Sequence, residues 1–320
     1  MVTLIKADRR SAVLTPSNLA CLSHMPTINL TSGCAHGCLY CYTRSYSTHP
    51  GEDKVVLYGN TLEKLKNELT RKRKKPQAVY FSPSSDLFQP VPEILELGYN
   101  ILEFLFSKGI GVAFLSKGRI PDKTMSLLLS HADKVRAQVG IITLDEDIQR
   151  MFEPNTASSQ VRIEQIAKLV AGGIATEARL DPILPGLTDT HNALRHLFSA
   201  LAKVGVKRAA ASVLFLRSSV IESLRRNVRN MEVLQPLLGF YQDAKRMAIH
   251  AEHSSVIALP RTKREEIYLH IRQAAEKFGI ELAICACKNP DLARGTCNIG
   301  GTWPKYPESD SQLNLFDQGD

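Results

Sequence analysis

The stretch "NLTSGCAHGCLYCYTRSYS", Asn29 to Ser47, places Cys34, Cys38 and Cys41 within eight residues. It follows "TINLT" (27–31), the first β-rich run of the chain. Five more such runs come after it: "AVYFS" (78–82), "GVAFLS" (111–116), "AQVGIIT" (137–143), "ATEARL" (175–180) and "AAASVLF" (209–215). Helical patterns lie between them. Leu62, Leu65 and Leu69 share one face around 61–73, and residues 93–107 form a strongly apolar helix. Leu194, Leu197, Phe198 and Leu201 make another stripe, with Asp189 or Thr190 as N-cap. Each crossover returns the chain in the same direction, so repeated β/α units predict a parallel sheet. A doubly wound open sheet and a partial barrel both fit the count. In either, ligands gather beyond the C-terminal ends of the strands. The cysteine loop sits at that end, as do "SPSSDLFQP", Lys117 and "DPILPG".

After residue 215 the alternation weakens. Residues 232–248 and 262–278 read as helices, and "ELAI" (281–284) as a short strand. The Gly-, Pro- and Cys-rich "CACKNPDLARGTCNIGGTWP" reads as an irregular loop outside the β/α body. The chain thus divides into an N-terminal extension (1–25), a β/α body (26–217), a C-terminal extension (218–305) and a tail (306–320) expected to be disordered.

With 320 residues, 44% of them hydrophobic, the chain can bury a sizeable core. No apolar run reaches the roughly 18 residues of a membrane span. The N-terminus "MVTLIKADRRSAVLTP" lacks a signal-peptide core, so a cytoplasmic protein with reduced thiols is expected. Seven cysteines, an odd number, also argue against a disulfide framework. The net charge is +8, and residues 306–320 hold four acids and no base, so the rest is more positive still. Basic clusters at 71–75, 203–208, 225–229 and 261–264 make a polyanion, DNA or RNA, a plausible partner.

Three clustered thiols have three ordinary uses. A structural zinc wants four ligands, and His36 is crowded between Cys34 and Cys38 as the fourth. A disulfide is disfavoured by the compartment. A [4Fe–4S] cluster held by three thiolates leaves one iron open to bind a ligand.

Cys-x3-Cys-x2-Cys with an aromatic before the last Cys resembles the signature of radical S-adenosylmethionine enzymes. The resemblance implies that Cys34, Cys38 and Cys41 are cluster ligands and that Tyr40 packs near the adenine. It implies that the open iron chelates the methionine moiety, and that one electron releases a 5′-deoxyadenosyl radical. A flavodoxin- or ferredoxin-type protein would be the electron donor. "GCAHGCLYCYTR", "SSDLFQPVPE", "FEP" (152–154) and "PILPGLTD" together resemble the spore photoproduct lyase-like group over roughly residues 10–215. That group implies a partial (β/α)6 barrel of parallel strands, here with a helical and Cys-rich C-terminal extension, and action on DNA lesions. Tyr42 matches a tyrosine that returns a hydrogen atom to product in the spore enzyme. That enzyme also has a cysteine hydrogen donor after its second strand, where this chain has Ser82 to Ser85. A hydroxyl is a much poorer hydrogen-atom donor than a thiol. Ser84, Lys117 and Arg179 are positioned to contact S-adenosylmethionine, whereas Glu153 and Asp189 read as shaping loops and caps. Modification of tRNA or rRNA would use the same chemistry. A non-catalytic Fe–S or zinc nucleic-acid-binding protein is the reading from another class.

Cys285, Cys287 and Cys297 suggest a second metal site, an Fe–S cluster or a zinc with Cys21, Asp291, His250 or His253 as fourth ligand. Buried reduced thiols are the rival. In the tail, Gln312, Leu313, Leu315 and Phe316 of "QLNLF" resemble the motif by which bacterial DNA-processing proteins dock on the replicative sliding clamp. There a glutamine sets register while leucine and phenylalanine fill an apolar pocket. The full chain is expected to bind the clamp at micromolar scale, about −8 kcal/mol. Replacing Leu315 and Phe316 with Ala should abolish the heat signal in titration calorimetry; equal binding by both proteins would remove the motif from consideration.

Overall fold

The computed structural model describes residues 2–17, 19–249, 254–293 and 296–304. His250, His253 and the clamp-like segment Gln312 to Phe316 lie outside the described residues.

The strands are β1 (Thr3–Ala7), β2 (Thr27–Ile28), β3 (Thr31–Ser32), β4 (Lys54–Tyr58), β5 (Ala78–Phe81), β6 (Gly111–Ser116), β7 (Val135–Gly140), β8 (Ala175–Ile183), β9 (Arg208–Val213), β10 (Lys245–Ile249), β11 (Ser254–Ala258) and β12 (Glu281–Ile284). The helices are α1 (Thr61–Arg71), α2 (Pro92–Ser107), α3 (Asp122–Leu129), α4 (Glu146–Phe152), α5 (Ser159–Ala171), α6 (His191–Lys203), α7 (Ser218–Asn227), α8 (Met231–Gly239) and α9 (Arg261–Glu276). A seven-stranded sheet runs in the order β12-β9-β8-β7-β6-β5-β2, and every pairing in it is parallel. The order follows the chain without a reversal. There is no switch point, so the sheet curls as a partial barrel rather than winding doubly.

Alternation along the strands sorts the side chains into two layers. Val79, Phe81, Val112, Phe114, Leu180 and Ala211 pack with the helices in the main core. Ala78, Tyr80 and Ala113 face the other way, against Leu22, Met25, Ile299 and Trp303. The concave face is therefore plugged from both ends of the sequence. Small inward residues make room for the plug, and a side chain at Gly111 would fall 2.3 Å from the Trp303 ring. Thr190 is the N-cap of α6, accepting from Ala193 N at 3.3 Å.

Two expectations need correction. The helix predicted across 232–248 is α8 followed by a strand: β10 pairs antiparallel with β11. Pro236 and Gly239 limit α8 to a short helix. The Cys-rich loop was expected outside the barrel. Instead β12 pairs with the edge of β9, Glu281 opposite Arg208, and carries Cys285, Cys287 and Cys297 against inward-facing Ala210 and Ala283. β1 and β3 flank β4 in a separate three-stranded sheet. Among the described residues no helix is long and apolar enough to cross a membrane.

Candidate functional site

The site lies at the C-terminal ends of the parallel strands and starts with the loop after β3. Gly33 adopts φ +80, and a Cβ there would fall 2.6 Å from Lys54 O. Only glycine allows the loop to turn so close to β4. The loop is then strapped by its neighbours. Gln89 Oε1 accepts from Ala35 N at 2.7 Å, and Phe152 O accepts from Leu39 N at 2.9 Å. Asn155 Nδ2 donates to Ala35 O at 3.2 Å. His36 spans Asn155 O at 3.0 Å and Asp86 Oδ2 at 3.2 Å. Arg44 donates to Gly37 O and Cys38 O at 3.2 and 3.3 Å. Three cysteines are thus held by backbone contacts on both sides of them.

Beneath the loop lies a buried ionic network. Glu153, wholly inaccessible to solvent, pairs with Lys117 Nζ at 3.2 Å and Arg162 Nη2 at 2.5 Å. It also accepts from Tyr40 Oη. Lys117 Nζ in turn donates to Tyr40 Oη at 2.7 Å and Asp181 O at 3.0 Å. Burial alone would raise the Glu153 carboxyl, but the two cations win and hold it at about 2. Burial works against the Lys117 ammonium, yet Glu153 raises it above its ordinary value. Asp86 is similar: burial opposes its charge, while His36 and the backbone N–H groups of Lys117 and Phe88 bring it below the usual carboxylate range.

A second network faces it. Arg179 Nη2 meets Asp181 Oδ2 at 3.1 Å, and Lys288 Nζ meets both Asp181 oxygens at 2.8 Å. Burial would raise Asp181, but Lys288 and Arg179 hold it at about 2. Each network carries one more cation than anion, so the walls of the site are positive.

The expected cluster, cofactor and catalytic positions all line one cavity of about 260 Å³. It brings together the cysteine loop, Tyr40, Tyr42, Ser84, Lys117, Arg179 and the second cysteine group. Tyr42 stands at its mouth, 37% exposed, with Lys288 over its ring at 5.8 Å. Ser84 is tied to Asn29 Oδ1 through its amide and hydroxyl. Tyr40 and Lys117 are spent largely on one another and on Glu153. Cys21 joins the wall as well, its Sγ 3.7 Å from that of Cys287. Among the described residues, no group of three or more His, Cys, Asp or Glu side chains stands in a geometry that could hold a metal ion without rearrangement. All seven cysteines are outside disulfides.

The loop's donor set nevertheless fits an iron–sulfur cluster. Burial pushes the Cys38 thiol up to about 12, with Lys117 acting in the opposite direction. A thiolate there calls for a bound cation. Close by, the buried hydroxyls of Ser82 and Ser85 have no partner among the described residues, leaving polar capacity for a ligand.

Sequence reasoning undervalued Glu153, read as loop-shaping, and did not single out Arg162, Gln89, Asn155 or Asp181. The only local signal was a charged residue inside the "FEP" motif. Asp189 does serve its turn, accepting from Gly186 N at 2.7 Å.

The Glu153 carboxyl sits lower folded than its ordinary 4.5, so its stabilisation is present above that value and lost as pH falls toward about 2. Glu153→Gln should cost about 3–5 kcal/mol at neutral pH, because it leaves buried cations unpaired. The variant should also lose less stability than wild type between about pH 4.5 and 2, measured by urea unfolding. Parallel pH profiles would contradict the network.

Comparison with known proteins follows the same line. Residues 28–201 match the radical SAM superfamily. A protein of Mycobacterium tuberculosis, itself uncharacterized, is 28% identical over 219 residues, 66% of this chain and 64% of its own length. The radical SAM Nalpha-GlyT isomerase of Pseudomonas phage M6 is 31% identical over 173 residues, 54% of this chain and 35% of that protein. The chain thus spans less than two thirds of the length of these relatives. A spore photoproduct lyase structure superposes with TM-score 0.68, covering 88% of this chain and 82% of that one at 16% identity, a likeness of fold. Because the matched segment is more than half of the chain, and its cysteine loop follows the first strands of a partial parallel barrel, the chain belongs to the radical SAM superfamily.

Proposed function

We propose that this radical SAM enzyme acts on a base in DNA, with Cys34, Cys38 and Cys41 holding the cluster. The observation that carries the reading is the strapped three-thiol loop opening into a positively walled cavity at the strand ends. Family membership implies a [4Fe–4S] cluster and S-adenosylmethionine. When bound, they supply reductive cleavage of the sulfonium and a 5′-deoxyadenosyl radical that takes a hydrogen atom from substrate.

The chain's own residues position and shield that chemistry. The Lys117–Glu153–Arg162 network fixes the floor beneath the loop. Its excess positive charge offsets the negative charge of a thiolate-held cluster. The free hydroxyls of Ser82 and Ser85, with Ser84, offer hydrogen bonds to the polar end of S-adenosylmethionine. Arg179 serves from the opposite wall, its charge shared with Asp181. Tyr42 lines the cavity and is partly exposed, which supports a role in meeting substrate and relaying a hydrogen atom.

Two observations support a DNA base as substrate. The chain is basic outside its tail. A similar fold has been solved with a dinucleoside spore photoproduct. The region after β5 carries Ser82 to Ser85 and no thiol, so the reaction differs from the spore enzyme's relay at its hydrogen-return step.

Protein reconstituted anaerobically with iron and sulfide and reduced with dithionite should cleave S-adenosylmethionine to 5′-deoxyadenosine and methionine. Cys34→Ala, Cys38→Ala or Cys41→Ala should each abolish cleavage and the low-potential cluster signal. An EPR signal still perturbed by S-adenosylmethionine in the triple Ala variant would overturn the ligand assignment.

A further inference from the structure

Four cysteines outside the opening loop meet on the barrel wall. Cys21 comes from a 3-10 turn in the N-terminal segment, and Cys285 and Cys287 from the loop after β12. Cys297 comes from the segment that returns across the concave face. Cys21 and Cys287, 266 positions apart in sequence, have their sulfurs 3.7 Å apart. Cys285, Cys287 and Cys297 are buried together around Ala210, with Cys21 packed against them.

The spacing is informative. A disulfide would bring two sulfurs to about 2.05 Å. A tetrahedral ion with metal–sulfur bonds of about 2.3 Å sets neighbouring sulfurs about 3.8 Å apart. The Cys21–Cys287 separation of 3.7 Å excludes a disulfide and leaves room for an ion between the sulfurs.

An independent observation comes from Arg179. It is buried, 2% exposed, and lines the same cavity as these cysteines. Nη1 has no partner among the described residues. A buried guanidinium with a spare N–H beside neutral thiols is poorly compensated, whereas beside thiolates it is paired. Several thiolates crowded together repel one another unless a cation sits among them. A sulfur-only donor set selects zinc or iron–sulfur chemistry.

We propose that Cys21, Cys285, Cys287 and Cys297 form a second, thiolate-ligated metal centre that clips the N-terminal segment to the C-terminal loop across the barrel. Binding is not a redox step. Each thiol releases its proton to solvent, and the four thiolates close around the metal, with Arg179 against the resulting negative charge. The centre stands on the same cavity as the cysteine loop but draws on none of its ligands.

The test uses the full chain with Cys34, Cys38 and Cys41 replaced by Ala, purified anaerobically and assayed for zinc, iron and labile sulfide. About one zinc per chain, or iron with sulfide, is expected, and the two results distinguish the metal. Further Cys21→Ser and Cys297→Ser substitutions should lower it to background. Background metal with all four thiols intact would overturn the proposal. A second measurement avoids any folding defect of the variants. In the wild-type chain, alkylation mapped by mass spectrometry should modify these four cysteines only after a strong chelator has removed metal. Equal modification before and after chelation would equally overturn it.

Discussion

The Glu153 carboxylate meets Lys117, Arg162 and Tyr40 out of reach of water, and much of the site hangs from that meeting. Its partners come from the ends of β6, from α5 and from the cysteine loop, so one side chain ties several β/α units to one point. An ion pair at such distances attracts by several kcal/mol at an effective dielectric near 20, but burying each ion costs a similar amount. The network's net contribution to stability is therefore small. What it supplies is position, since no partner can move without leaving a buried charge uncompensated. Arg162 also donates to Gly140 O and Ala157 O at 2.8 Å, which extends this constraint into the backbone after β7.

Above that floor, two walls face each other across one cavity. One carries the strapped cysteine loop and Asp86. The other carries Arg179, Asp181, Lys288 and the second cysteine group. The floor and this second wall each carry one more cation than anion, which suits thiolate-held metal. The plug of N- and C-terminal segments packs against the concave face, and the cavity lies beside it at the strand ends.

The parts legible in the sequence are those whose determinants lie close together along it. Three cysteines in one loop needed no tertiary information, nor did apolar runs alternating with helical stripes. The choice of a partial barrel over an open doubly wound sheet required strand order, which the structure supplies. Glu153, Lys117 and Arg162 carry no shared local pattern, so a conformation-shaping role was the natural reading until the fold brought them together. The same holds for Cys21 and Cys287. The position of the C-terminal loop on the barrel wall is not legible locally, because the pairing of β12 with β9 is set by an edge that no local pattern reveals. The strand at Lys245–Ile249 has no local signal, because its antiparallel partner, β11, provides the pairing that overrides a helical pattern.

In the proposed reaction, the radical generated at this loop takes its hydrogen atom from DNA. The most direct measurement uses DNA deuterated throughout its bases and sugars, incubated with reduced protein and S-adenosylmethionine, followed by mass spectrometry of the 5′-deoxyadenosine formed. Deuterium in that product, dependent on the labelled DNA, is the expected result. Turnover of S-adenosylmethionine with no deuterium transferred from DNA, but with transfer from labelled RNA or a small molecule, would contradict it.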